Sequence, residues 1–230
     1  MNIHEKYISR CIDLGKLGIG NTYPNPSVGC CIVYKNNIIG EGYTSSAGCN
    51  HAEINAIESV KDKSQLKEAV LYFTLEPCSH FGKTPPCTNE IIKNRIPKVV
   101  IGTIDPDPKV YGNGVKELEK AGIKVSIGVL EKQCKNHHKR FLTYVNKKRP
   151  YIILKWAETD DGFIAPETKK ELKPVWISNK HSRQLVHKWR ATEQSILVGA
   201  NTIRQDNPKL TARNSTGTNP SVIIINRKND

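Results

Sequence analysis

Apolar positions follow two rhythms along the chain. Tyr7, Ile8, Cys11, Ile12 and Leu14 recur at helical spacing, and Asn2 with Glu5 three residues on forms a capping box at the head of that helix. Residues 28–34 and 38–43 are apolar stretches flanking Lys35-Asn36-Asn37, the pattern of a β-hairpin. A short helical pattern covers 52–60. Strand-like runs at 70–75, 99–104 and 123–129 then alternate with helical ones at 88–93, 115–121 and 131–144, and Gly122 stands where a helix end is expected. This alternation predicts an α/β layered sandwich over residues 1–145.

The charged, proline-ended stretch 146–150 reads as a linker. A second α/β alternation follows, with a strand at 151–156, a helix capped by Ser178 and running to about Arg190, and strands at 195–198 and 222–226. Two domains, 1–145 and 146–230, suit a chain of 230 residues. The last strand lacks a neighbour in the sequence, so it is expected to expose an edge that invites association with another copy, a homo-oligomer.

No aliphatic run approaches the length of a membrane span, and the N-terminus has no apolar signal core, so a cytoplasmic location is expected. In that compartment seven unevenly spaced cysteines point to metal or catalysis rather than to disulfides. The net charge of +13 invites a nucleic-acid reading, but 26 of the 35 basic residues are Lys and no basic run is interleaved with aromatics. Small phosphorylated ligands are the expected partners, with neither nucleic acid nor membrane.

His51, Cys78 and Cys87 supply one imidazole and two thiols within forty residues, with Glu53 two positions after the histidine. Soft thiolates with imidazole suit Zn2+, and three protein ligands leave the fourth tetrahedral position for water, whereas a structural site is closed by four. Residues i and i+2 point to nearly opposite sides of a regular helix, so His51 and Glu53 can share a pocket only at a helix's first turn. Cys78 and Cys87 both lie where helices could begin, which would favour their thiolates. Glu53 is then the catalytic proton carrier of a hydrolytic deaminase, the nucleobase-deaminase pattern, although here the cysteines are nine apart rather than three. Two rivals remain: a cytidine or free-nucleobase deaminase, and a structural zinc protein derived from a decayed enzyme. The long run between the cysteines argues against the first, and a carboxylate where a base is needed argues against the second.

The strings HAE at 51–53 and EPCSHFGKTPPC at 76–87 resemble the bifunctional deaminase/reductase of riboflavin biosynthesis, and the resemblance spans essentially the whole chain. It implies a cytidine-deaminase-like α/β/α sandwich that deaminates a diaminopyrimidinone ribotide phosphate, followed by a dihydrofolate-reductase-like α/β domain that uses NADPH to reduce the ribosyl product. It also implies substrate contacts at Asn25, Lys83 and Asp105 in the first domain and at Arg190, Leu210 and Arg213 in the second. In that second domain Trp176-Ile-Ser and the run VGANTIRQDNPKLTAR at 198–213 carry the likeness, which implies NADPH contacts at Ala157, Trp176, Thr202 and Asp206. The chain departs from the family pattern at Thr44, where a His is common, at Thr159-Asp160, at Pro174 and at Gln194-Ser195. The family's reductase continues beyond a point equivalent to Asp230, so a complete deaminase joined to a partial, inactive reductase is expected.

The remaining candidates read plainly. Cys11, Cys30, Cys31 and Cys134 pack as small apolar groups. Cys49 is a loop thiol near the site, and His80 is balanced between phosphate binding and support of the metal ligands. His4, His137, His138, His181 and His187 lie on apparently polar helix faces and are assigned no role.

Overall fold

The strand runs of the first half are apolar on both faces, which requires helices on each side of the sheet. That is the observed arrangement in a computed structural model that describes residues 2–168 and 174–227. The chain divides into two units, Met1–Tyr151 and Ile152–Asp230.

In the first unit helix α1 (Ile3–Gly18) begins with the expected capping box, Asn2 accepting from the Glu5 N–H while the Glu5 carboxylate accepts from the Asn2 N–H. Strands β1 (Gly29–Tyr34) and β2 (Asn37–Tyr43) form the hairpin, and Lys35 and Asn36 take the left-handed backbone that its tight turn demands. Helix α2 (Ala52–Ser59), a 3-10 turn (Lys63–Glu68), β3 (Val70–Phe73), α3 (Cys87–Lys93), β4 (Lys98–Ile101), α4 (Asn113–Lys120) and β5 (Lys124–Ile127) follow. The sheet order is β2-β1-β3-β4-β5, antiparallel across β2-β1-β3 and parallel across β3-β4-β5.

Alternate residues along these strands serve two cores. Cys30, Ile32, Leu71, Phe73, Val99 and Ile101 pack with Ala52, Ala56 and Ile57 of α2, Ile91 of α3 and Leu118 of α4. Cys31, Val33, Tyr72 and Val100 pack on the opposite side with Tyr7, Ile8, Cys11 and Leu14 of α1 and with Cys134. The four inward cysteines are buried, free thiols. The single helix expected over 131–144 is instead two, α5 (Glu131–His137) and α6 (Lys139–Lys147), meeting at His138. Helix α6 therefore runs through residue 145 and takes in the first residues of the expected linker.

In the second unit helix α7 (Lys180–Thr192) is capped by Asn179, not Ser178, because the Asn179 side chain accepts the Ser182 N–H. Strand β6 (Ser195–Gly199) leads into α8 (Ala200–Asp206) and pairs in parallel with β7 (Ser221–Ile225), so the last strand, expected to lack a neighbour, has one on one side, because the α8 crossover returns the chain beside β6. The strand expected at 151–156 is not formed: among the described residues no strand lies beside it to share a ladder, and Ile152 and Leu154 are exposed. No described helix is long and apolar enough to cross a membrane.

Gly29 sits where α1 crosses the start of β1, and a Cβ there would lie 1.8 Å from the Cys11 carbonyl oxygen and 2.5 Å from the Gly15 nitrogen. Both obstacles are backbone, so Gly29→Ala is expected to cost about 3 kcal/mol or more, measured as a lowered midpoint in urea unfolding followed by circular dichroism.

Candidate metal centre and active site

His51 is the N-cap of α2, with extended backbone (φ −76°, ψ 166°), and Glu53 lies in the helix's first turn. This break in helical geometry lets residues two apart address one pocket. The His51 Nδ1 is 3.5 Å from the Cys78 Sγ and 3.3 Å from the Cys87 Sγ, and the three donor atoms all lie within 4.8 Å of one another. Cys87 opens α3 immediately after Pro86. Cys78, in contrast with the sequence expectation, lies in an irregular segment and begins no helix of its own. Its sulfur accepts instead from the Cys87 backbone N–H at 3.4 Å, a free amide in the first turn of α3.

The protonation of this cluster follows from crowding. The Cys87 thiol beside it, with help from His51, pulls Cys78 down to about 4. The same contact, with burial, pushes Cys87 well up, and Cys78 raises His51. Two sulfurs and one imidazole in this state readily exchange their protons for a soft divalent cation, and the donor set fits zinc with a fourth position left for a water. Glu53 is 3% exposed and burial raises its proton affinity, which His51 opposes.

Sequence reasoning passed over Glu76. Its buried carboxylate accepts backbone N–H bonds from Asp105 at 3.3 Å, Gly112 at 3.0 Å and Val115 at 3.3 Å, tying the segment after β4 to the residue two before Cys78. A carboxylate closing an otherwise apolar strand run is the signal that could have revealed it. Asp105 is 6% exposed, accepts the Asp107 N–H at 2.9 Å and is pushed up to about 6, first by burial and then by its acidic neighbours, Cys78 among them. The structure thus brings Asp105 into the electrostatic field of the metal ligands.

Asn25 is half-buried in the segment between α1 and β1, its N–H bonded to the Thr22 carbonyl. Lys83 is exposed, with its Cδ 3.8 Å from where a Gly48 Cβ would stand, so the loop between the cysteines lies beside the one preceding His51. Thr44 is buried and its hydroxyl accepts the Val28 N–H at 2.9 Å, a backbone duty that leaves it little freedom for ring recognition. Cys49 and His80 are exposed, and Cys49 is not among the clustered donors. A cavity of about 480 Å³ opens elsewhere, beside Leu17, Thr44 and Asn55, and contains none of the metal donors.

In the second unit Arg190 is half-buried, donates to the Thr211 carbonyl at 3.2 Å, and has a buried Nε without a hydrogen-bond partner among the described residues. Burial and the charge of nearby Arg213 both lower its proton affinity. Leu210 is buried with left-handed backbone (φ 49°). Trp176 is exposed and stacked under the Arg183 guanidinium at 4.4 Å, Thr202 is exposed, and Ala157 and Asp206 are half-buried. A cavity of about 470 Å³ in this unit is lined by His181, Lys188 and Ser215 among others, and by none of these four residues.

Residues 1–103 match the cytidine and deoxycytidylate deaminase zinc-binding region, and residues 150–230 match the RibD C-terminal domain. The riboflavin biosynthesis protein RibD of Aquifex aeolicus is 44% identical over 92% of this chain and 58% of its own length, and that of Synechocystis sp. is 40% identical over 98% and 60%. The chain spans about three-fifths of the length of these curated relatives. Among solved structures, a diaminohydroxyphosphoribosylaminopyrimidine deaminase/5-amino-6-(5-phosphoribosylamino)uracil reductase from Thermotoga maritima matches with a TM-score of 0.90 at 46% identity, over 98% of this chain and 64% of that one. RibD from Acinetobacter baumannii matches with a TM-score of 0.88 at 35% identity, over 99% and 64%.

Because the folded state holds the Asp105 proton more tightly than the unfolded chain does, wild-type stability carries a penalty that grows between pH 4 and 6 and is constant above. Asp105→Asn removes that penalty. The variant's melting temperature is expected to match wild type near pH 4 and to exceed it above pH 6, read by thermal denaturation across that range.

Proposed function

We propose that the chain belongs to the family of bifunctional riboflavin-biosynthesis deaminase/reductases, which both halves resemble, and that its first unit deaminates a diaminopyrimidinone ribotide phosphate. One observation carries the reading: a buried carboxylate, Glu53, in the first turn of the helix whose N-cap is His51, beside two convergent cysteine sulfurs. A structural metal site has no use for such a group.

His51, Cys78 and Cys87 would hold zinc, which when bound supplies the Lewis acidity that makes a water a nucleophile at neutral pH. Glu53 accepts a proton from the attacking water as its oxygen bonds to the amino-bearing ring carbon and passes it to the ring nitrogen, then takes the remaining proton from the new hydroxyl and gives it to the departing amine. The carbon–nitrogen bond breaks, and ammonia leaves as the ring carbonyl forms. Its burial suits Glu53 to both roles, since a carboxylate of raised proton affinity is a better base and a usable acid near neutrality. Asn25 and Asp105 would bind the ring and ribose, and Lys83, on its exposed loop, the phosphate.

For the second unit, Arg190 and Arg213 would bind the ribotide phosphate, with Leu210 beside them, and the unpartnered Arg190 Nε supports an anion there. Ala157, Trp176, Thr202 and Asp206 would contact NADPH; none of them lines the cavity bounded by His181, Lys188 and Ser215. The protein is placed in the cytoplasm, where its free thiols stay reduced, acting on small molecules, with association into a homo-oligomer through the edge of β7.

Incubating the zinc-loaded chain with the ribotide phosphate and NADPH, with product masses read by spectrometry, tests the assignment. A deaminated ribosyl product is expected, and unchanged substrate would sink it. Glu53→Gln is expected to retain stoichiometric zinc while deamination falls by about 10³-fold.

A further inference from the structure

We propose that the consecutive pair His137-His138 is a positioning device for the deaminase site, His137 holding the segment that carries Asn25 and His138 holding the segment that leads to Cys78. The inference rests on the deaminase reading above and adds to it two residues that touch neither metal nor substrate.

The geometry is specific. The His137 Nε2 is 2.7 Å from the Ser27 carbonyl oxygen, a contact that joins residues 110 apart in the chain. A carbonyl can only accept, so the Nε2 carries the proton. Ser27 stands two residues after Asn25, and its own hydroxyl donates to the Gly15 carbonyl at 2.6 Å. The segment before β1 is thus bonded to both α1 and α5, and it enters β1 at Gly29, one residue before Cys30, whose thiol lies in the electrostatic field of Glu53.

His138 reaches the other loop. Its Nε2 is 2.9 Å from the Thr74 Oγ1, which also accepts the Gly29 N–H at 3.3 Å. Thr74 ends β3 and begins the run through Glu76 to Cys78. The two rings meet edge to face, with centroids 4.6 Å apart, and burial lowers the proton affinity of both. Being adjacent in the chain at the α5–α6 junction, the two histidines fix the spacing between the substrate segment and the metal segment. These are the residues that the sequence placed on a polar helix face. His138 is 3% exposed and His137 partly buried, so that expectation was wrong for both.

The test uses the full, zinc-loaded chain. His137→Leu keeps an apolar filling but removes the donor, and His137→Gln keeps a side-chain N–H. His137→Leu is expected to raise the KM for the ribotide phosphate about tenfold with kcat within about twofold, and His137→Gln to restore most of the loss. Amide hydrogen exchange is expected to show protection lost across 22–29 but kept across 70–78 in His137→Leu, and the reverse in His138→Leu. Gly15→Ala attacks the same contact from the other side, because its Cβ would lie 2.6 Å from the His137 Nε2 and 2.9 Å from the Ser27 carbonyl oxygen. It should reproduce the His137→Leu exchange pattern even if that variant fails to fold. An active enzyme whose KM does not move, protection lost evenly over both segments, or no rescue by Gln overturns the proposal. A wild-type chain that does not deaminate, with variants that still show these two exchange patterns, overturns the deaminase reading and leaves the two segment-holding contacts standing.

Discussion

The site depends on one departure from helical periodicity. A ligand and a proton carrier two residues apart cannot face the same point from within an α-helix, so the helix must begin between them, and His51 at the N-cap with Glu53 in the first turn meets that requirement. The rest of the unit keeps this helix start in place. Glycine at 42 lets β2 lie directly against α2, where a Cβ would stand 2.4 Å from the Ala56 nitrogen and 2.5 Å from the Ala52 oxygen. Gly40 makes a similar approach to the Ala56 oxygen one turn of the strand pattern earlier. The hairpin and the helix therefore sit at backbone contact, which leaves the N-cap little room to shift.

Around that point charge is arranged by burial and by short contacts more than by helix ends. Cys78 is held down by Cys87 and His51, while Glu53 and Asp105 are held up by the loss of water. Glu76 absorbs three backbone donors that would otherwise be stranded when the segment after β4 folds over the site. A buried carboxylate that only organises backbone thus sits two residues from a sulfur that binds metal. Strong electrostatics and loop geometry are here set by one short run, Glu76-Pro-Cys78.

Much of this was legible in the sequence because it is local or periodic. The capping box, the Lys35-Asn36 turn, the alternating strands and the His-Ala-Glu constraint each need only a few adjacent residues. Contacts across long separations were not legible. His137 and His138 look polar on a helical wheel, yet their partners are 110 and 64 residues away, and only the folded chain turns that face inward. Likewise, nothing near Cys78 says that its helix fails to form, because its thiolate is favoured by a backbone N–H nine residues on. The 151–156 run has strand-like composition, but a strand is completed by a neighbour, which composition does not supply.

The second unit obeys the same physics with a different outcome. Strand β7 carries Val222, Ile223, Ile224 and Ile225, each about half exposed, a composition suited to the interior of a parallel sheet rather than to its surface. Helix α7, by contrast, has already settled a polar group inside, since the His187 Nδ1 bonds the Thr211 carbonyl at 2.9 Å. Arg190 shares that carbonyl and so lies in the same corner, near the charge of Arg213 and with an Nε that has no hydrogen-bond partner among the described residues. A buried unpaired donor beside a like charge is unfavourable, and an anion would relieve both. That unpartnered donor belongs to Arg190, which with Leu210 and Arg213 is one of the residues for which the family resemblance implies substrate contacts.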